Sequence, residues 1–155
     1  MQKWDVRFLG LAREVASWAK DPSTKVGAVA VSETQVILSC GWNGFPREIA
    51  DKSERLNDRE LKYRYVVHAE ANCIYNATRN GVSLLGATMY IHGMSVCHEC
   101  AKALIQVGIK RVVMCYSHPA PTKWAESHAH TRDMFDEAGV TCISYDTNAL
   151  ERVHE

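Results

Sequence analysis

Apolar residues near the start of the chain fall at Trp4, Phe8, Leu11, Val15 and Trp18. Steps of four and three place them on one face of a helix over about residues 2–20. Asp21-Pro22-Ser23 ends that helix. The pattern then changes to short apolar runs at residues 26–31 and 36–42, separated by Ser32-Glu33-Thr34-Gln35. This predicts a hairpin of two strands. Gly41-Trp42-Asn43-Gly44-Phe45-Pro46 breaks the second run into a loop. Residues 47–62 are densely charged with mixed sign. They suit a solvated insertion, helical from Asn57 as an N-cap, or a lid or subunit contact over a site.

In the second half, helical and strand patterns alternate. Helices are expected over residues 68–79, stopped by Asn80-Gly81, over 97–107, ended by Gly108, and over 124–138, capped by Gly139. Strands are expected at 88–91, 111–115 and 141–144, with His118-Pro119-Ala120-Pro121 as a rigid loop. The tail from Asp146 has little apolar content and is expected to fray. A hairpin followed by alternating helices and strands predicts one α/β domain over residues 1–155. Its form is a three-layer sandwich, with helices on both faces of a mixed sheet of about five strands. The later strands should pair in parallel through right-handed crossovers.

Composition narrows the partners. Lysine plus arginine and aspartate plus glutamate are 18 each, so the chain lacks the basic surface that a nucleic-acid polymer requires. A mononucleotide needs only one or two cations and stays open. No apolar run approaches the ~18 residues of a membrane span. Met1-Gln2-Lys3-Trp4-Asp5 opens a helix rather than a signal peptide. Of the six cysteines, Cys40, Cys73, Cys115 and Cys142 lie in apolar stretches and read as buried free thiols of a reducing cytoplasm.

The other two cysteines carry the chemistry. His68-Ala69-Glu70 and Cys97-His98-Glu99-Cys100 supply one histidine and two cysteines, three zinc ligands with a fourth position open for water. Both segments stand at predicted helix starts, where free N–H groups and the positive dipole end favour thiolates. Glu70, two residues after the histidine, is left for proton transfer. A Cys-x-x-Cys pair alone also fits a redox couple or half of a structural zinc finger. Glu70 alone also fits a first-turn capping carboxylate.

These motifs, with Asp21-Pro22-Ser23-Thr24-Lys25-Val26-Gly27-Ala28-Val29, Gly41-Trp42-Asn43-Gly44-Phe45-Pro46 and Val67-His68-Ala69-Glu70, resemble the deoxycytidylate (dCMP) deaminase family from about Asp21 to Gly139. The zinc motif is common to zinc nucleobase deaminases; the other two runs narrow the likeness to the dCMP branch. The resemblance implies the cytidine-deaminase-like fold and the conversion of dCMP to dUMP and ammonia, feeding pyrimidine deoxynucleotide synthesis. It implies one catalytic zinc on His68, Cys97 and Cys100, with Glu70 as the proton shuttle. It further implies Asn43 on the sugar 3′-hydroxyl; beside it, Lys25 with help from arginines such as Arg64 is expected on the 5′-phosphate, and the backbone N–H of Ala69 or Cys97 on the pyrimidine carbonyl. Tyr116 and Trp124 would wall the base pocket. A turn asparagine, a strand-end lysine and core aromatics are the plainer readings of Asn43, Lys25 and Tyr116. The family also implies a homo-oligomer, with a hexamer foremost, cytoplasmic location, and control by dCTP and dTTP with Mg2+.

The chain departs from the family at Val96, where a proline is usual before the first cysteine, and Ser95 beside it adds a hydroxyl. A second, structural zinc is not expected, because residues 47–67 contain no cysteine or histidine. His128 and His130, two apart on a helix, diverge and make a poor metal pair. Competing functions are deamination of another base, nucleoside or modified nucleotide, and a non-catalytic nucleotide-sensing zinc module.

Overall fold

The computed structural model describes residues 1–119 and 121–152. Helix α1 (Lys3–Ser17) is followed by the hairpin β1 (Gly27–Val31) and β2 (Ile37–Trp42). The charged stretch folds into two short helices, α2 (Ser53–Asn57) and α3 (Arg59–Tyr65). Then come α4 (Ala69–Arg79), β3 (Thr88–His92), α5 (His98–Gln106), β4 (Arg111–Tyr116), a 3-10 turn (Thr122–Trp124), α6 (Ala125–Ala138), β5 (Thr141–Asp146) and α7 (Thr147–Glu151). The sheet order is β2-β1-β3-β4-β5. β1 pairs antiparallel with β2 and β3, and β3, β4 and β5 run parallel.

Alternation along the strands divides the core in two. Val29, Val31, Tyr90, Val113 and Cys115 face α1, with Leu150 of α7 joining them. Ala28, Ala30, Met89, Ile91, Val112 and Met114 face the other way, against buried residues of α4, α5 and α6. This is the expected three-layer sandwich.

The buried stripe of α1 is rotated from the one expected. Val6, Phe8, Leu9, Ala12, Val15 and Ala16 are buried, whereas Trp4 and Trp18 are exposed. The reason is the closeness of the helix to the sheet: a Cβ on Gly27 would stand 2.1 Å from the Ala12 carbonyl oxygen. Only small residues fit at that crossing, and the two tryptophans are displaced to the margins. Asp5 is buried in the stripe because Arg111 donates to both its carboxylate oxygens, at 2.9 and 2.8 Å, and Tyr90 donates at 3.1 Å. On the opposite face Gly41 has the same role under α4, where a Cβ would lie 2.3 Å from the Cys73 nitrogen.

Two local expectations change. Asn57 ends α2, and Asp58 caps α3 by accepting from the Leu61 N–H at 3.0 Å. The tail from Asp146 is helical as far as Glu151, because Asp146 accepts from the Asn148 N–H at 2.9 Å and Leu150 is buried at 1% exposure. Ala120 of the expected rigid loop, and His154, lie outside the described residues.

Candidate active site

The sheet brings the chemistry to one edge. Gly27 at the start of β1 pairs with Trp42 at the end of β2 and with His92 at the end of β3. The loops at this edge lead into α4 and α5, so the first turns of both helices meet beyond the strand ends. Backbone ties hold the parts in place. Val67 N–H donates to the Gly44 carbonyl at 2.8 Å and Gly44 N–H to Val67 at 3.1 Å. Asn72 of α4 donates to the Trp42 carbonyl at 2.7 Å. The Asn43 loop and the segment ending in His68 are therefore tied together.

His68 is the N-cap of α4 and Cys97 the N-cap of α5. His68 Nδ1 lies 3.5 Å from Cys97 Sγ and 3.4 Å from Cys100 Sγ, and all three ligand atoms fall within 4.8 Å of one another. With Zn–S near 2.3 Å and Zn–N near 2.05 Å, a tetrahedral ion would set its N···S edges at about 3.6 Å. The donor set fits zinc in kind and in spacing. Cys97 is the readier thiolate: donation from the Cys100 thiol, the His68 ring and the Cys100 backbone N–H holds its pKa well below the ordinary thiol value, against the opposing effect of burial. The thiol of Cys100 is held up by the same hydrogen bond to Cys97. A bound cation would replace that shared proton and leave both sulfurs anionic.

Glu70 projects into the same space at 4% exposure. Burial raises its pKa to about 6, against opposing contributions from its own backbone N–H and from His68. It can therefore hold or release a proton near neutral pH, and a metal ion alongside would draw the value down again. Ala69, fully buried as the first residue of α4, offers one of the first-turn N–H groups that no intrahelical carbonyl accepts.

Together these groups line a cavity of about 500 Å3, with Asn43, Met94, Ser95, Trp124 and His128 among its walls. Asn43 is 6% exposed. Its Oδ1 accepts from Val26 N–H at 2.8 Å and its Nδ2 donates to the Thr24 carbonyl at 2.9 Å, which leaves one amide hydrogen and one lone pair uncommitted. Asn43 is thus both a clamp on the start of β1 and a polar group on the cavity wall.

Lys25 and Tyr116 stand elsewhere. They line an adjoining chamber of about 310 Å3 that shares Ser23, Thr24, Ser95, Lys123, Trp124 and His128 with the main cavity. Lys25 Nζ donates to the Ala19 carbonyl at 2.7 Å, and Tyr116 packs against His118 with ring centroids 4.4 Å apart. Arg64 is exposed, pairs with Glu60 at 2.9 Å and lines neither space. The cations on the main cavity are Arg59, Lys62 and Lys123. Sequence reasoning missed all three as site residues, along with Asp21 and His128. Lys62 lay within a run of charges that read as solvated. One side of that stretch, with Leu56, Asn57, Arg59 and Lys62, and Tyr63 just after it, lies on the cavity.

Val96 has its own accommodation. Its N–H, absent from a proline, donates to the Met114 sulfur at 3.4 Å, and its carbonyl accepts from Thr131 Oγ1 at 3.0 Å. The departure leaves no buried donor unpaired, and Cys97 keeps its place.

Comparisons with known proteins agree with this geometry. The profile of the cytidine and deoxycytidylate deaminase zinc-binding region matches residues 2–116. An uncharacterized deaminase in the luxG 3′ region of Aliivibrio fischeri is 37% identical over 142 residues, covering 90% of this chain and 92% of that one. The deoxycytidylate deaminase of Homo sapiens is 36% identical over 146 residues, 90% of this chain and 78% of its own. The crystal structure of dCMP deaminase from the cyanophage S-TIM5 in complex with dCMP and dUMP has the same fold, with a TM-score of 0.73 at 22% identity over 94% of this chain and 99% of that one. With its His/Cys/Cys cluster, the glutamate beside it and a matching profile over most of its length, this chain belongs to the cytidine and deoxycytidylate deaminase family.

Proposed function

We propose that the protein hydrolyses dCMP to dUMP and ammonia. The observation that carries the proposal is the pairing of two spaces: a buried Glu70 beside the His68, Cys97 and Cys100 cluster, adjoining a chamber whose lining includes Lys25 and Lys123 but, among the described residues, no carboxylate. The first suits a base that must exchange protons, the second an anion. The names of the human relative and the phage neighbour support the choice of dCMP.

A zinc ion held by His68, Cys97 and Cys100 would make water nucleophilic near neutral pH. Glu70 takes a proton from the attacking water, delivers it to N3 of the pyrimidine, and assists protonation of the departing amine. The Ala69 N–H holds the pyrimidine carbonyl, and the free amide hydrogen and lone pair of Asn43 hold the sugar 3′-hydroxyl. Water adds at C4 and the C4–N4 bond breaks, so dCMP and water give dUMP and ammonia. A 3′-hydroxyl held by Asn43 disfavours a strand continuing from that oxygen. The reading extends to a homo-oligomer, a hexamer foremost, in the cytoplasm, and to control by dCTP and dTTP with Mg2+, as the resemblance implies.

The test compares kcat/KM on dCMP, deoxycytidine and a short single-stranded oligodeoxynucleotide, with zinc per chain measured by elemental analysis. The expected result is one zinc per chain and a marked preference for dCMP, expressed in kcat as well as KM because the phosphate's binding energy supports the chemical step. Equal processing of deoxycytidine or of the oligonucleotide would refute the assignment, and a zinc-loaded protein with no turnover on any of them would leave a sensor in its place.

A further inference from the structure

The proposed reaction gives no task to one histidine on the cavity wall. His128 of α6 is 7% exposed, and its imidazole has no hydrogen-bond partner among the described residues. Two contacts fix its position. Ser127, the residue before it, accepts from the His98 N–H at 3.0 Å. Thr131, one turn after it, donates to the Val96 carbonyl at 3.0 Å. These contacts reach the residues on either side of Cys97, so α6 is pinned to the start of α5 at the metal-type cluster. His128 shares the helical face of Thr131, and its ring lines both the main cavity and the side chamber.

The two spaces differ in charge. The main cavity mixes Glu70 and Asp21 with Arg59, Lys62 and Lys123, and Lys62 is paired with Asp21; the chamber has Lys25, Lys123 and several hydroxyls, with no aspartate or glutamate among the described residues. A pyrimidine seated at Glu70 therefore has a favourable place for its anionic end in the chamber. His128 stands where the two spaces meet. Burial, and Arg132 nearby, hold its pKa below the ordinary histidine value, so near neutral pH it offers one N–H donor and one acceptor. Its ring nitrogens keep contact with the cavity space, where a ligand or water can complete them.

We propose that His128 determines specificity in this site: its ring N–H donates to a phosphate oxygen of the bound nucleotide and so separates a nucleoside monophosphate from the free nucleoside. The inference rests on the nucleotide reading above.

Product binding tests it without turnover. Calorimetry on the zinc-loaded protein compares dUMP with deoxyuridine for the parent, His128→Leu and His128→Gln. His128→Leu is expected to lose dUMP affinity on the order of tenfold to a hundredfold, with deoxyuridine binding changed by less than about threefold. Zinc content should be unchanged, and His128→Gln, which keeps an N–H, should recover part of the preference. In the parent protein, 15N-labelled histidine spectra should show the His128 ring nitrogens shifting on addition of dUMP and staying in place with deoxyuridine. That measurement stands even if His128→Leu fails to fold. Equal shifts with both ligands, or equal weakening of both in His128→Leu without recovery in His128→Gln, would make the residue a packing element and overturn the proposal. A parent that prefers dUMP while His128→Leu keeps that preference overturns this inference alone. A parent that binds dUMP no better than deoxyuridine removes the nucleotide reading and this inference with it.

Discussion

Glu70 shows how one side chain serves chemistry at the expense of stability. Its carboxyl is buried and its pKa is raised from 4.5 to about 6. In metal-free protein the folded state therefore favours the protonated form. That stabilisation is fully present below about pH 4.5 and is lost as pH rises through about 6. Replacing the group by a neutral isostere removes the loss. Glu70→Gln, stripped of metal, is expected to be more stable than the parent at pH 8 by roughly 2 kcal/mol, read from urea unfolding. The same substitution should lower turnover by about two to four orders of magnitude while zinc content holds, because the proton carrier is gone. Turnover within tenfold of the parent would remove Glu70 from the shuttle role.

At the scale of elements, the insertion is anchored by one ion pair. Lys62 of α3 donates to Asp21 at 3.2 Å and to Ser23 Oγ at 2.9 Å, and both charged side chains are less than a tenth exposed. Burial alone would raise the Asp21 pKa, but the Ser23 and Thr24 backbone N–H groups, Lys62 and the Ser23 hydroxyl together hold it below 3.8. The pair therefore stabilises the fold above the ordinary carboxylate value, and that contribution fades as pH falls below it. Lys62→Met leaves a buried carboxylate without its cation and should cost about 3–5 kcal/mol at pH 7. The gap to the parent should narrow in acid, where Asp21 is protonated. Denaturant titrations at pH 7 and pH 3 check both statements, and a constant gap would mean that the ion pair is not what is lost. Because Lys62 shares the cavity wall with Asn57 and Tyr63, the same substitution should raise KM for the nucleotide.

At the scale of the whole molecule, the outer edge of the sheet is unusually apolar for a free surface. Among the described residues β2 has no strand beyond it, and Val36 just before it and Ile37 at its start are 56% and 53% exposed. Trp18 and Trp42 form an exposed edge-to-face pair 5.3 Å apart near its other end. Edge strands of this character are covered by a partner or blunted by charge. In the proposed homo-oligomer a second copy would be that partner. Light scattering at micromolar concentration should give a mass above the monomer for the parent and a lower mass for Ile37→Lys. A monomeric parent would refute the assembly, and an unchanged mass in the variant would move the interface elsewhere.

The helices and strands were legible along the chain because each depends on local information; the mixed sheet followed from their order, and the His68, Cys97 and Cys100 cluster from ligand chemistry together with the family resemblance. Periods of two and 3.6 residues, turn residues and ligand chemistry at helix starts are properties of neighbouring positions. What only tertiary structure decided depends on which faces approach across long separations. Lys62 reaches Asp21 over 41 residues, and no spacing rule marks either as the other's partner. The turn of α1 away from its tryptophan stripe follows from the Ala12–Gly27 crossing, a steric limit that exists only once helix and sheet have met. Lys25 lies at the strand end where it was expected, but that it lines the side chamber and that its Nζ donates to the Ala19 carbonyl follow only from the packing. His128 read as a poor metal pair with His130, and its place beside Cys97 was set by two hydrogen bonds between α6 and the residues flanking that cysteine. A sequence orders side chains along one dimension; the orientation of a packed helix, which chooses the side chain that enters a cavity, is set by close packing in three.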